Sequence, residues 1–412
     1  MTESTALITN EPAVLGLLAV ALGLVFWTES RPTGFWKHFY TWVPALLLCY
    51  FIPAVFNTIG LIDGEHSGLY PMARDYLLPT SLVLLTLSID FKSILRLGPK
   101  ALIMFFCGTL GVMFGAVFAF GLFEIISPQT VAGDTWRGMT TVAGSWIGGG
   151  ANQAAMKEVF QVDNNLFGQF VAMDVLVANV WLAVLLFLAG RAEAFDRWTG
   201  ADTRAIEDMK RRMETFTADH TRAATLPDLM IILALGLGAM GLSHAIGRPL
   251  ATWIGETAPG LARYSLTSTF FWVVVIATTL GLLLSITRAR ELEGVGASRI
   301  GSAALYILIA TIGMHMDIGA VFERPRLFVL GLCWISVHAL VMLAIAKWIR
   351  APLFFMAVGS QANIGGAASA PVVASAFHPN LAPVGVLMAV LGYALGTYAA
   401  YLTGLVLQAM AG

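Results

Sequence analysis

Two short stretches hold the polar and flexible residues from which a binding site could be assembled. They are 144–153, GSWIGGGANQ, and 359–369, GSQANIGGAAS, each inside an otherwise apolar segment. Three consecutive glycines, Gly148, Gly149 and Gly150, break a helix. The break frees backbone N–H groups on one half-helix, which attract anions, and carbonyls on the other, which suit a cation. Asn152 and Gln153 add amides and Ser145 a hydroxyl; in the second stretch Ser360, Gln361, Asn363 and Ser369 flank Gly365 and Gly366, and Pro371 suits a helix restart. Such neutral oxygens hold Na⁺ without the cost of burying a full charge. Left unpaired in hydrocarbon they cost several kcal/mol, so they are expected to face one another, a ligand or water. Close packing by small residues would explain one glycine cluster; its recurrence at a matching place favours a site built from both.

Asp174 is the third candidate, in FVAMDVLVANVW with Asn179 five residues on. A carboxylate inside a membrane costs at least about 2.5 kcal/mol and marks function by default. It reads as a Na⁺ ligand or a proton carrier, against a structural pair with Lys157 or the cap of a hairpin; Lys157 and Arg137 are the nearest cations in the topology. The matching place in the second half is Ala389, which suits one ion site rather than two. Asp90 and Asp317 end short segments and read as interface charges or helix caps. His315 and His338 read as packed, and Cys49, Cys107 and Cys333 as small apolar residues without metal-ligand spacing. A P-loop, a nucleophile elbow, HExxH and CxxC are all missing, so neither an enzyme nor ATP-driven transport by this chain is expected.

The elements that must position these residues follow from composition. Of 412 residues, 58% are hydrophobic, against roughly 45–50% for soluble domains, only 12% are charged, and the net charge is −1. That excludes a soluble enzyme, disorder, a disulfide scaffold and an electrostatic footprint for nucleic acid. Twelve apolar segments lie near 12–28, 42–61, 74–90, 100–123, 138–162, 166–190, 227–246, 268–287, 301–316, 326–348, 352–378 and 382–410. The opening MTESTALITNEP has no basic residue and is not read as a signal peptide. The polar stretch 191–226, centred on MKRRMETF, reads as a solvated amphipathic connector between a first half, 1–190, and a second, 227–412.

The halves share landmarks. Asp90 pairs with Asp317, Pro99 with Pro325, Gly149 and Gly150 with Gly365 and Gly366, and Met173 with Met388. If all twelve segments cross, Lys and Arg divide 14 to 10 between the two sides; if segments five and eleven dip in and return, they divide 17 to 7. The positive-inside rule favours the second arrangement. Each half then has five crossings and one re-entrant or broken glycine-rich element, the halves are inverted, both termini lie outside and the connector is cytoplasmic. Paired broken elements in inverted halves are the best sequence pointer to a transport site.

The motifs GSWIGGGANQAAMKEVF and VGSQANIGGAASAPVVASAF resemble the YjcL-like family of uncharacterised bacterial membrane proteins. More distantly the chain is similar to sodium/glutamate symporters and to the clan of cation–proton antiporters, bile-acid symporters and citrate carriers. The resemblance implies inverted repeats with scaffold and core parts, elevator-type alternating access, a homodimer in the bacterial inner membrane, and coupling to Na⁺ or H⁺. It implies solute or sodium contacts at Ser145, Gly148, Gly149, Gly150, Asn152, Gln153, Ser360, Gln361, Asn363, Gly365, Gly366 and Ser369. Arg350, about ten residues before the second tip, is not placed as the citrate-carrier arginine is. That favours an amino acid or small peptide over a tricarboxylate.

The expected architecture is therefore an all-α polytopic membrane protein, with segments 3–6 and 9–12 as the moving core and segments 1, 2, 7 and 8 as scaffold and dimer surface. The expected function is Na⁺-coupled symport of a small polar or anionic organic solute, with no cofactor besides the ion. H⁺ is the second choice of coupling ion. Asp174, Asn152, Asn363 and Ser369 are the candidate Na⁺ ligands. The rival is a Na⁺/H⁺ antiporter without organic substrate.

Overall fold

The computed structural model describes residues 6–31, 33–64, 66–201, 206, 223–316, 324–378 and 381–412. The fold is helical, and fourteen helices among the described residues frame its centre. They are α1 (Glu11–Glu29), α2 (Ala45–Thr58), α3 (Leu78–Leu87), α4 (Pro99–Ile126), α5 (Thr135–Gly148), α6 (Gly150–Val159) and α7 (Asn164–Ala189) in the first half. In the second they are α8 (Leu226–Thr257), α9 (Thr269–Ser285), α10 (Ala297–Gly313), α11 (Arg326–Trp348), α12 (Leu353–Ile364), α13 (Gly366–Phe377) and α14 (Ala382–Met410). Asp317 and the centre of the 191–226 connector lie outside the described residues.

Local chemistry sets the starts. Asn10, Asp163 and Ser268 cap α1, α7 and α9 through their side chains, and Thr225 with Asp228 forms a capping box on α8. The segment predicted at 227–246 runs on to Thr257, through Pro249. The proline does not stop it because tertiary packing continues beyond: Ala251 and Ile254 are buried, and Gly247 lies against Val273 of α9.

Among the described residues six helices are long and apolar enough to cross a membrane, and seven if the sharply bent Thr269–Ser285 and Arg288–Val295 count as one span. The chain is thus a polytopic membrane protein. The sequence reading counted on ten crossings, but the remaining apolar helices are short: α2 has 14 residues and α10 has 17, about 21 and 25 Å against a hydrocarbon core of about 30 Å.

The helices sort into two bodies by contact. In one, α3 packs on α8, α9 and α10, and α2 on α1 and α10. In the other, α4 packs on α11, α12 and α14, while α7 packs on α5, α11 and α13. Segments three and nine therefore belong with the first body, not with the hairpins as the sequence suggested. The cause is close backbone approach: a Cβ on Gly281 or Gly301 would collide with Val83 or Leu84, so α3 is held tightly between α9 and α10.

Loop contacts define two opposite ends. At the first, Ile8 bridges to Ile62, the Gly68 N–H donates to Glu11, and the Ser265 hydroxyl donates to the Val159 carbonyl at 3.0 Å. At the second, Asp90 pairs with Arg290, Lys100 donates to the Arg350 carbonyl at 2.9 Å, and Lys347 donates to the Trp198 carbonyl. Asp90 also caps the short helix Phe91–Leu95, as expected of it.

Candidate functional site

Helices α5 and α6 fold back on each other rather than continuing in line. Arg137, at the start of α5, donates to the Phe160 carbonyl after the end of α6 at 2.6 Å, and the Trp136 and Phe160 rings lie 5.7 Å apart. The reversal falls at Gly149, whose φ of +79° is open to glycine and strained for other residues. Helices α12 and α13 make a second hairpin, with the Phe354 and Phe377 rings 5.4 Å apart across its open end. Its base sits at the other end of the molecule, where the Asp196 carboxylate caps it by accepting the Leu353 N–H at 2.7 Å. Burial pushes the Asp196 carboxyl up, above its ordinary value, despite that bond.

The two tips meet on α14. A Cβ on Gly392 would lie 2.4 Å from the Ile147 carbonyl oxygen of the first hairpin and 3.7 Å from that of Ala362 in the second. Only glycine lets α14 pass between both tips at this separation.

Asp174, buried in α7, clamps the first hairpin. It accepts from the Trp146 indole of α5 at 2.6 Å and from the Gln153 amide of α6 at 2.9 Å, with Ser145 as a third partner. The carboxylate thus joins both arms across the glycine tip. Lys157 and Arg137 are occupied elsewhere. Lys157 is buried against Glu158 at 3.1 Å and donates to the Tyr70 hydroxyl at 2.7 Å, and Arg137 pairs with Asp134 at 2.9 Å. Among the described residues no cation faces Asp174.

The two asparagines hold the tips to neighbouring helices. Asn152 donates to the carbonyls of Gly148 and Tyr393 and accepts from Thr397 at 2.6 Å. Asn363 donates to the carbonyls of Gly359 and Phe105 and accepts from Thr109 at 2.8 Å. Ser360 bonds Trp181 of α7 at 2.8 Å and His338 of α11 at 2.7 Å. Gln361 donates to Ser369 at 2.7 Å, while its own Oε1 is buried without a partner. Gly366 at the second tip faces open space, and Gly150 at the first faces Leu305 and Ile309 of α10.

The candidates expected from sequence therefore fall into separate networks. Ser145, Gln153 and Asp174 come together; Gln361 and Ser369 come together; Asn152, Asn363 and Ser360 each bind a different helix. Among the described residues no hydrogen bond joins Asp174 to Asn152, Asn363 or Ser369. Sequence reasoning missed Trp146 as a partner of Asp174, the threonines Thr109 and Thr397, and Tyr50, a buried tyrosine of α2 stacked edge-on with Phe167 at 5.8 Å. Hydroxyls inside apolar helices were the available signal for the last three.

These features define a polytopic helical membrane protein whose centre is built by two fold-back hairpins. The family model described as a protein of unknown function (DUF819) matches residues 16–410, so the chain belongs to that family. It is 25% identical over 354 residues to the uncharacterized membrane protein YjcL of Bacillus subtilis (strain 168), spanning 84% of this chain and 85% of that one.

Proposed function

We propose that this protein is a secondary active transporter of a small polar or anionic organic solute, such as an amino acid or small peptide, driven by Na⁺. The observation that carries the reading is the meeting of two oppositely entering hairpin tips around Gly392. Non-helical backbone at membrane depth is tolerated where protein or a solute path covers it, and paired broken elements mark transport sites. The unspent Gln361 Oε1, Ser369 and the open Gly366 offer polar contacts to a solute.

An inverted-repeat organisation is supported by reciprocal packing. Helix α3 contacts its counterpart α10, and α4 contacts its counterpart α11; the α2–α10 contact is answered by α9–α3, and α7–α11 by α14–α4. The re-entrant arrangement read from the sequence divides Lys and Arg 17 to 7, and under the positive-inside rule that supports a cytoplasmic connector end. The hairpin body is the moving part of an elevator, and the body of α1, α2, α3, α8, α9 and α10 is the scaffold. The exposed apolar residues of α8, among them Met230 and Leu237, supply the dimer surface.

The test is uptake by proteoliposomes and melting of the purified protein across a panel of amino acids, short peptides and carboxylates, in Na⁺ and in K⁺. A solute that raises the melting temperature only with Na⁺, and accumulates down a Na⁺ gradient, supports symport. Asn152→Ala with Asn363→Ala should then abolish uptake; full-rate uptake by that variant rejects the tips as the site. The isolated Asp174 carboxylate favours one alternative, Na⁺/H⁺ exchange without an organic solute. Proton flux driven by Na⁺ in vesicles lacking any solute would select it.

A further inference from the structure

We infer that Asp174, Gln153, Ser145 and Tyr50 form the binding site of one desolvated monovalent cation, with Na⁺ as the fitting ion, at the seam between the two helix bodies. The inference deepens the transport reading by naming the coupling-ion ligands, and it rests on that reading only for the ion's purpose.

Three polar groups here are unbalanced. The Asp174 carboxylate is buried without a facing cation among the described residues. Gln153 is fully buried, and its Nε2 donates to Asp174, which fixes the amide orientation because an oxygen there would repel the carboxylate. Its Oε1 is left without a hydrogen-bond partner. Tyr50 is fully buried, its ring lies 5.8 Å from that of Phe167, two turns before Asp174 on α7, and its hydroxyl too has no partner. An unmet buried polar group costs about 1–3 kcal/mol, and an unpaired buried charge more. All three line the same stretch of α7, between Phe167 and Asp174, which favours a shared ligand over a packing accident.

The chemistry they share is oxygen. One carboxylate, one amide oxygen, one phenol oxygen and the Ser145 hydroxyl form a hard donor set, and hard cations take oxygen ligands. A single negative charge in a low-dielectric site balances a single positive one; a divalent ion would leave an excess charge buried. Rotating the Gln153 amide turns Oε1 toward the carboxylate, and a cation between the two oxygens removes their repulsion. Ion binding therefore exchanges the Gln153 N–H bond for ion coordination, and it does so on an arm of the first hairpin.

Location gives the ion a purpose. Tyr50 belongs to α2 and the scaffold body, whereas Asp174, Gln153 and Ser145 belong to the hairpin body. A cation held by all four ties the bodies together, and its release frees them.

The experiment measures melting of the purified protein against Na⁺ alone, with choline holding ionic strength constant, for wild type, Asp174→Asn, Gln153→Leu and Tyr50→Phe. The wild type is expected to gain stability saturably with Na⁺, and Asp174→Asn to lose the response. Tyr50→Phe removes an unmet hydroxyl, so it folds at least as well without Na⁺; its half-saturating Na⁺ rises roughly 10-fold, the equivalent of about one lost ligand contact. It decides the matter where Asp174→Asn fails to fold. No Na⁺ response in the wild type, an intact response in Asp174→Asn, or unchanged half-saturation in Tyr50→Phe overturns the site. Parallel proteoliposome uptake separates the two readings. Solute uptake with no Na⁺ response keeps the transporter and sinks the ion site; a Na⁺ response with no uptake of any panel solute keeps the site and sinks the transporter.

Discussion

Asn152 and Asn363 are held by the same set of bonds on two different helices. Each donates to the carbonyl of the glycine four residues before it and to a carbonyl of a neighbouring helix, and accepts from the threonine one turn further along that helix. The neighbour is α14 for Asn152 and α4 for Asn363. Each asparagine thus both braces its own hairpin and fixes it sideways.

A double-mutant cycle of Asn363→Leu with Thr109→Val should therefore give a coupling of about 0.6 kcal/mol, the average for hydrogen bonds between membrane helices, and at most about 1.7 kcal/mol. Asn152→Leu with Thr397→Val should match it. Reversible unfolding in detergent measures both, and additive single mutants would show that the bonds do not bear on stability.

Gly392→Ala should unseat a hairpin. The added Cβ meets the Ile147 carbonyl oxygen at 2.4 Å, and backbone cannot move aside cheaply; overpacking of this kind costs about 1–3 kcal/mol. Gly238→Ala on α8 meets nothing within 4 Å and should be neutral or gain about 1 kcal/mol from helix propensity. Melting temperatures of the pair decide it; equal behaviour contradicts the close approach.

The fold-back of the first hairpin is open to chemical labelling. With Cys49, Cys107 and Cys333 replaced, single cysteines at Arg137 and Gln161 should react with a membrane-impermeant thiol reagent from the same side. A cysteine at Arg350 should react from the other. Labelling of 137 and 161 from opposite sides would mean a crossing helix.

The Asp90–Arg290 pair gives a pH dependence. Burial pushes the Asp90 carboxyl up, but the Ser93 N–H and hydroxyl and the Arg290 guanidinium outweigh it and hold the carboxyl below its ordinary value. A depressed carboxyl stabilises the fold above its unfolded pKa of about 3.9, and that contribution is lost as the pH falls through the lower folded value. Between pH 7 and pH 5 Asp90→Asn should melt below wild type by a constant amount, and the gap should close toward pH 3. A gap that persists there would place the stabilisation elsewhere.

Much of this was legible in the residues. The segments 326–348 and 382–410 match α11 and α14 end for end, because Pro325 and the pair Ala382–Pro383 mark their starts. The glycine triplet announced the first reversal, and Asp174 its anchor. The partners were not legible. Trp146 reads as an ordinary apolar residue until the hairpin closes and brings it to Asp174, and whether Asn152 faces a ligand or Thr397 depends on how two distant helices pack. Body membership of α3 was also hidden, since it is decided by glycines on α9 and α10 rather than by anything in the segment itself.

The helices differ greatly in height. Helix α8 has 32 residues and α2 only 14, about 48 and 21 Å, and both belong to the body built around α3 and α10. A lipid annulus around that body cannot have one thickness: it must compress beside α2 or let α8 lean. Acyl-chain length thereby acts on the body that Tyr50 belongs to, and bilayers of shorter chains should favour the arrangement in which α2 is fully matched.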